Sequence, residues 1–260
     1  AGLSGWGSFA RAAGQHPDPG GQATLWAADR AGHALYGLRA DGTVVCRVEV
    51  GAPTEVRPRV GHGAFVRSSL DRRLEGRARW LEWTGTELRP ALSPPVSVPG
   101  WGGASPAAVG APGVIVCRAD SGGKIWVLRA SAGSSTRLER WCRTRSLQER
   151  WRCLVSRPLP FTAVALAPAD HAAEDAVWVA GDRAPRVLKI GPTGRVIHGV
   201  ELEGVDGMED ALAIPAALGG GVWLAACGAL VRLDERGRRR PGQGGFAHLV
   251  SLAADPSIMG

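Results

Sequence analysis

Residues 248–255, HLVSLAAD, and residues 25–50, LWAADRAGHALYGLRADGTVVCRVEV, together look like one complete β-sheet. The first segment is a short apolar strand near the C-terminus with no partner strands after it. The second segment contains three strands separated by turn residues, with no strand before them. A sheet must protect its edge strands, and joining the two segments does so. We therefore expect the strand at Leu249–Ala253 to pair with the strand at Leu25–Ala28.

The pattern of the N-terminal segment recurs along the chain. Each copy has an apolar strand, a short polar turn, a second apolar strand and a turn with Gly, which supplies the positive φ of hairpins. A pattern that recurs in this way is typical of proteins built from repeated units, such as propellers. Together with the complementary ends, the repeats predict an all-β fold, a β-propeller of five four-stranded blades whose last blade is closed by the N- and C-terminal strands. The copies begin at Leu25, Ala64, Val114, Ala176 and Gly221.

A further apolar strand precedes most copies and is the predicted inner strand of each blade. These strands read PRVGHG near Arg59, SPAAVG from Ser105, TAVALAP from Thr162 and EDALAIP from Glu209. Residues 137–160 fit no copy and leave open an insertion or a degenerate sixth blade. We predict a single domain over residues 1–260, with residues 1–22 as an N-terminal extension. A β-sandwich of similar hairpins is the alternative fold.

The composition limits the class of protein. Of 260 residues 45% are hydrophobic, which argues against disorder. The charge of +7 comes almost entirely from Arg, since Lys124 and Lys189 are the only lysines and Asn is absent. We interpret this as a compositional bias rather than selection for a polyanion. The start at Ala1 fits loss of a methionine or of a signal peptide, so the compartment stays open.

The five cysteines form no C-x-x-C motif, which argues against a zinc site. Most of them are expected to be small buried apolar residues. Cys142 and Cys153 can pair if the compartment is oxidising.

Three segments resemble blades of the NHL and SMP-30/gluconolactonase-like propellers. They are DRAGHALYGLRADGTVV from Asp29, PTGRVIHGVELEG from Pro192 and GGGVWLAACGALVRLDERG from Gly219. SPAAVG followed by VIVCRADSGGKIWVL is also similar, more weakly, to blades of tectonin-like lectin propellers. Propellers serve as enzymes, lectins and docking platforms, so the resemblance implies the fold but does not select a function.

Four residues are weak candidates for a metal site. Glu209 and Asp210 belong to an acidic run, ELEGVDGMED, that leads into a predicted inner strand, and carboxylates bind hard cations. The metal site of SMP-30-like enzymes also uses Asn, which has no counterpart here. His62 and His248 lie in or beside predicted inner strands and are further weak candidates. No nucleophile or phosphate-binding motif is present in the sequence, so no catalytic residue and no cofactor is predicted.

Arginine and tryptophan are interleaved in one segment, Arg137–Arg152, and arginines cluster again at Arg236–Arg240. Arg and Trp are the anchors of protein interfaces, whereas acidic residues within these clusters weaken the field that nucleic acid would need. The predicted partner-binding residues are Trp141, Arg143, Arg145, Trp151, Arg152, Arg238, Arg239 and Arg240.

These observations predict a binding or scaffold propeller that docks a protein partner, as a subunit or accessory of a larger assembly. The alternatives are a metal-dependent hydrolase of the SMP-30/lactonase-like class and a carbohydrate-binding propeller, for which Trp6 and Trp101 in Gly-rich loops are available. Nucleic acid is a disfavoured partner, and the sequence contains no transmembrane segment.

Overall fold

The structure, a computed structural model, describes residues 23–59, 63–69, 79–91, 113–119, 123–131, 135–143, 151–169, 175–182, 186–205, 207–214 and 219–254. The predicted N-terminal extension, the predicted strand SPAAVG, Trp6, His62, Trp101 and Arg145 lie outside these ranges. Within them the secondary structure is β-strand and turn, and no helix long and apolar enough to cross a membrane occurs there.

The predicted fold class is confirmed. The chain is all-β and forms five four-stranded antiparallel sheets, the blades of a β-propeller, rather than the two packed sheets of a sandwich. The chain divides into two compact units, Ala1–Pro95 with Gly242–Gly260, and Val96–Pro241.

The first unit contains two blades. Blade A consists, in sheet order, of β20 (Leu249–Ala254), β1 (Leu25–Asp29), β2 (Ala34–Leu38) and β3 (Val44–Glu49). Blade B consists of β4 (Ala52–Arg59), β5 (Gly63–Ser69), β6 (Arg79–Trp83) and β7 (Leu88–Pro90).

Blade A confirms the predicted pairing of the two ends of the chain. β20 runs antiparallel to β1, with Ala253 opposite Trp26 and Leu252 opposite Ala27. The strand also contacts blade B, because the Ser251 hydroxyl accepts a hydrogen bond of 3.3 Å from the Val56 amide.

Asp29 fixes the entry of the C-terminal strand into blade A. Its carboxylate is fully buried and accepts hydrogen bonds of 2.8 Å from the backbone amides of Gly32, Ala247 and His248. The Phe246 ring meets Tyr36 edge to face, with centroids 4.9 Å apart. One buried carboxylate therefore joins a turn near the N-terminus to the last strand of the chain.

The second unit contains the other three blades, except for the last three residues of β19, which belong to the first unit. Blade C consists of β8 (Val114–Ala119), β9 (Ile125–Ala130), β10 (Thr136–Arg143) and β11 (Trp151–Pro158). Blade D consists of β12 (Ala163–Pro168), β13 (Val177–Gly181), β14 (Arg186–Ile190) and β15 (Val196–Glu201). Blade E consists of β16 (Met208–Ala213), β17 (Val222–Ala226), β18 (Ala229–Leu233) and β19 (Arg239–Gly244).

The inner strands were predicted correctly in blades A, D and E but not in blades B and C. In blade B the inner strand is β4, which ends at Arg59, where PRVGHG was expected to form it. In blade C, Val114–Ala119 is itself the first strand and not the second. Its apolar run imitates a buried second strand, although Ile115 is 43% exposed. Residues 137–160 consequently provide the last two strands of blade C.

Four tryptophans occupy the same place in four blades. Trp26, Trp126, Trp178 and Trp223 are each the second residue of the second strand and are buried. Three of the four belong to apolar clusters that join neighbouring blades of one unit: Trp26 with blade B, Trp126 with blade D and Trp178 with blade E. These side chains are inter-blade packing.

Candidate functional site

A cation faces the repeated tryptophan in three of the four blades. Arg140, Lys189 and Arg232 lie on the third strand directly opposite Trp126, Trp178 and Trp223. Their charged groups stand 5.0, 5.6 and 5.5 Å from the ring centroids, within cation–π range. In blade A the equivalent residue is Gly37, and Cys46 and Ala23 fill the space where its side chain would be.

Two of these cations bind a carboxylate of the next blade. The Arg140 guanidinium and the Lys124 ammonium each lie 2.6 Å from Asp175, and together they hold the pKa of Asp175 below its ordinary value against the effect of burial. The Lys189 ammonium lies 2.6 Å from Glu235. Buried cations are paired or costly, so these charges tether blade C to D and blade D to E. In the sequence these cations stand one residue before the last apolar residue of the third strand, as in VLKI and LVRL.

Three of the four candidate metal ligands, Glu209, Asp210 and His248, belong to the described residues, and the fourth, His62, does not. Asp210 accepts a hydrogen bond from the Ala211 amide and lies 3.6 Å from the Arg118 guanidinium, so a cation of the protein itself already faces its carboxylate. Glu209 is exposed, and the His248 amide donates to Asp29. Within the described ranges no three His, Cys, Asp or Glu side chains come together as ligands.

The predicted Arg- and Trp-rich segment forms the hairpin of β10 and β11. Its two strands have 8 residues each, whereas β8 and β9 have 6. β9 begins opposite Trp141, so the last pairs of the hairpin, Cys142 with Arg152 and Arg143 with Trp151, lie beyond it. These four residues define the hairpin tip, which extends beyond the first residue of β9.

The pairing of the hairpin separates the predicted interface residues into two faces. Trp141, Arg143 and Trp151 share one face, where both tryptophans are half-buried against Cys117, Ile125 and Val127. Arg152 is exposed on the opposite face, because successive side chains of a strand alternate. The Trp141 indole donates to Glu139, a carboxylate that also binds Arg129.

The alternation also bears on the disulfide that the sequence allowed. Cys153 lies opposite Trp141 and Cys142 lies opposite Arg152, so the two thiols point to opposite faces and both are free. Burial raises the pKa of Cys117 to about 11, which keeps that thiol protonated at neutral pH.

The second arginine cluster lies elsewhere, at the turn before β19 and in that strand. Arg240 binds Asp234 at 2.8 Å, Arg239 donates to the Glu203 carbonyl, and the Arg238 amide donates to Asp234. Burial raises the pKa of Asp234, but the hydrogen bonds from the Arg238 and Arg236 amides and the Arg240 guanidinium outweigh it, so the net shift is downward. Part of this cluster is therefore engaged in contacts that stabilise its own turn.

No protein-family model matches this sequence, and no curated protein matches it either. Solved structures do resemble it. A protein of unknown function from Bacteroides caccae superimposes with a TM-score of 0.51 at 14% identity, over 91% of this chain and 100% of that one.

Two further structures resemble the chain more distantly. Regucalcin, a calcium-binding protein from Agrobacterium tumefaciens, has a TM-score of 0.41 at 12% identity, over 91% of this chain and 76% of that one. A gluconolactonase from Xanthomonas campestris has a TM-score of 0.43 at 11% identity, over 91% and 77% respectively. At these scores and identities neither structure supports an argument about activity, and the likenesses concern the fold alone.

Proposed function

We propose that this chain is a binding propeller that docks a protein partner through the hairpin tip. The observation that carries the proposal is the projection of this hairpin beyond β9. The residues of the hairpin beyond β9 are two arginines, a tryptophan and a cysteine.

The chemistry of the hairpin tip suits a protein interface. The Trp151 ring packs against the apolar cluster of blade C and is half-buried, so part of the ring is accessible to a partner. Tryptophans of this kind are common anchor residues of interfaces. Arg143 and Arg152 are exposed on opposite faces. A partner that grips the tip from both sides meets an aromatic centre with a cation on either flank, a composition typical of interface cores.

The alternative hydrolase needs carboxylates that are available to a metal or a substrate. Asp210, the best carboxylate candidate, is engaged by Arg118 and by a backbone amide. The arrangement therefore favours the binding function over the lactonase-like one.

Affinity measurements on variants of this chain test the proposal. A partner recovered from the native source and purified is titrated against the wild-type chain by calorimetry. Trp151→Ala or Arg152→Ala is expected to weaken the complex by about 1–3 kcal/mol, because truncating an interface anchor costs this much. Arg239→Ala, whose guanidinium is already bound to the Glu203 carbonyl, is the control and should change the affinity much less. Equal effects of all three substitutions on the affinity would contradict the proposal that the hairpin tip forms the interface.

A further inference from the structure

The last strand of the chain is held by residues that lie far from it in the sequence. β20 pairs with β1, the Ala247 and His248 amides donate to Asp29, and the Ser251 hydroxyl accepts from the Val56 amide. These hydrogen bonds to side chains join residues that are between 195 and 219 positions apart. Because these contacts do not include β19, the preceding strand, they can form equally well when β20 comes from a second copy of the chain.

The surface of blades A and B that β20 covers is apolar. Ala253 of β20 belongs to a buried cluster with Trp26 of blade A and Val56 of blade B. Phe246, just before the strand, meets the Tyr36 ring of β2 edge to face. Without an occupant, the edge of β1 and these apolar side chains would be exposed. The surface therefore needs a strand of this sequence, whichever copy of the chain supplies it.

A single glycine links the last strand to the rest of the chain. β19 ends at Gly244, and Phe246 already packs on blade A, so Gly245 is the residue at which the chain turns from one to the other. Gly245 has a φ of 88°, which L side chains rarely adopt. A Cβ added at Gly244 or at Gly245 would meet no atom within 4 Å. The conformation of one unpacked glycine therefore directs β20 back onto its own blade A.

We propose that two copies of this chain exchange β20, so that the last strand of each copy completes blade A of the other. The exchanged dimer keeps the contacts of β20 and changes the backbone at Gly245. Exchange of an identical element is a low-cost route to a symmetric dimer. A strand of another protein would have to supply a hydroxyl to the Val56 amide and an aromatic ring to Tyr36, which Ser251 and Phe246 already provide.

A proline at the linker tests the proposal in the full chain. Proline fixes φ at about −65°, so Gly245→Pro disfavours the closed linker. Each protein is unfolded in urea and refolded at a series of protein concentrations, and analytical ultracentrifugation measures the dissociation constant of the dimer. Gly245→Pro is expected to lower this constant by about tenfold or more, because the substitution strains the closed form.

Gly204→Pro is the matched control. Gly204 is exposed in the connection from β15 to β16, has a φ of 68°, and likewise has no atom within 4 Å of an added Cβ. The same substitution there should leave the dissociation constant within about twofold of wild type, since that residue lies outside the linker.

A disulfide identifies which chain supplies the strand. Ala28 lies directly opposite Ser251, and opposite residues of antiparallel strands are within disulfide distance. The variant Ala28→Cys/Ser251→Cys is combined with Gly245→Pro, and the dimer is oxidised. A covalent dimer on a non-reducing gel is expected, because β1 and the β20 paired with it then belong to different chains. Each single cysteine substitution is the control and should give no such dimer.

A mixture of two variants that keep Gly245 tests the exchange independently. Asp29→Ala weakens the surface that receives β20, and Leu249→Asp places a charge at a fully buried position of the strand itself. A mixed exchanged dimer contains one blade A in which both parts are wild type. When the two variants are refolded together, native mass spectrometry should show more mixed dimer than either homodimer combined with statistical pairing predicts.

Three results would overturn the proposal: a Gly245→Pro chain that folds and stays monomeric, equal dimerisation of Gly204→Pro, or a dimer whose cysteine pair links only within one chain. If the proline variant does not fold, the mixed refolding decides, and mixed dimers that are absent or merely statistical would refute the exchange. Trp151→Ala should leave the dissociation constant of the dimer unchanged, so this proposal and the proposed function are tested separately.

Discussion

Asp29 joins two distant parts of the chain through its buried carboxylate. Its carboxylate accepts from the amides of Gly32, Ala247 and His248, so one side chain satisfies donors that are more than 200 residues apart. Gly32 is required beside it, because a Cβ there would lie 2.4 Å from the carboxylate. Buried donors that lose their acceptor cost free energy.

Replacement of Asp29 should therefore destabilise the full chain. Asp29→Ala is expected to lower the free energy of unfolding by about 2–4 kcal/mol, since three amides lose their acceptor. Urea denaturation followed by tryptophan fluorescence measures this. The control is Asp41→Ala, which removes an acceptor for the Thr43 amide in an exposed turn and should cost less than about 1 kcal/mol. Similar losses of stability in the two variants would mean that Asp29 does not hold the C-terminal strand in blade A.

At the scale of elements, the closure of blade A rests on the last strand of the chain. Removal of β20 exposes β1, whose Ala27 and Ala28 are fully buried, and also removes the hydrogen bond from Val56 to Ser251. Phe246 and the amides that bind Asp29 leave with it. The remaining three strands of blade A would have an unprotected apolar edge.

A chain that ends at Gly245 should melt more than about 10 °C below the full chain. Blade A then loses its inner strand and also the amides of Ala247 and His248 that bind Asp29. Differential scanning calorimetry gives the comparison. A chain that ends at Ala254 keeps every residue of β20 and serves as the control. An unchanged melting temperature in the shorter chain would contradict the pairing of β20 with β1.

The elements also mark how far the sequence could predict the fold. The turns Arg39–Gly42, Gly191–Gly194 and Asp234–Gly237 close with the same backbone hydrogen bonds, and their glycines have φ between 73° and 92°. Such local chemistry is visible in a sequence, as is the complementarity of the two ends. The position of Val114–Ala119 as the first strand of blade C could not be predicted. Its apolar residues show that a strand forms there, but they do not show which strands will pair with it or pack on it.

The candidate site was less predictable, for a physical reason. The types of residue in the hairpin were visible, but their faces depend on strand register and on the bulge at Leu154, which only the pairing of β10 with β11 determines. The buried cations Arg140 and Lys189 were likewise missed as structural groups. Their partners, Asp175 and Glu235, belong to the next blade and lie 35 and 46 residues further along the chain, respectively.

At the scale of the whole molecule, several of the described basic side chains are bound within the fold. Arg140, Lys189 and Arg240 each bind a carboxylate, and Arg57 lies over the Trp80 ring. These basic side chains are therefore used within the fold, although the chain carries a net charge of +7. This distribution fits local recognition of a protein segment better than a continuous field for a polyanion.

We propose that this molecule binds a protein partner and does not hydrolyse lactones, and a lactonase assay tests that claim. The full chain is incubated with aldonolactones in the presence of Ca²⁺, Mn²⁺ or Zn²⁺, beside Asp210→Ala and beside Glu203→Ala, which changes an exposed carboxylate. The predicted result is hydrolysis at the rate of buffer with each metal in all three proteins, because Arg118 and a backbone amide already engage Asp210. Metal-dependent turnover that Asp210→Ala abolishes and Glu203→Ala preserves would contradict the claim.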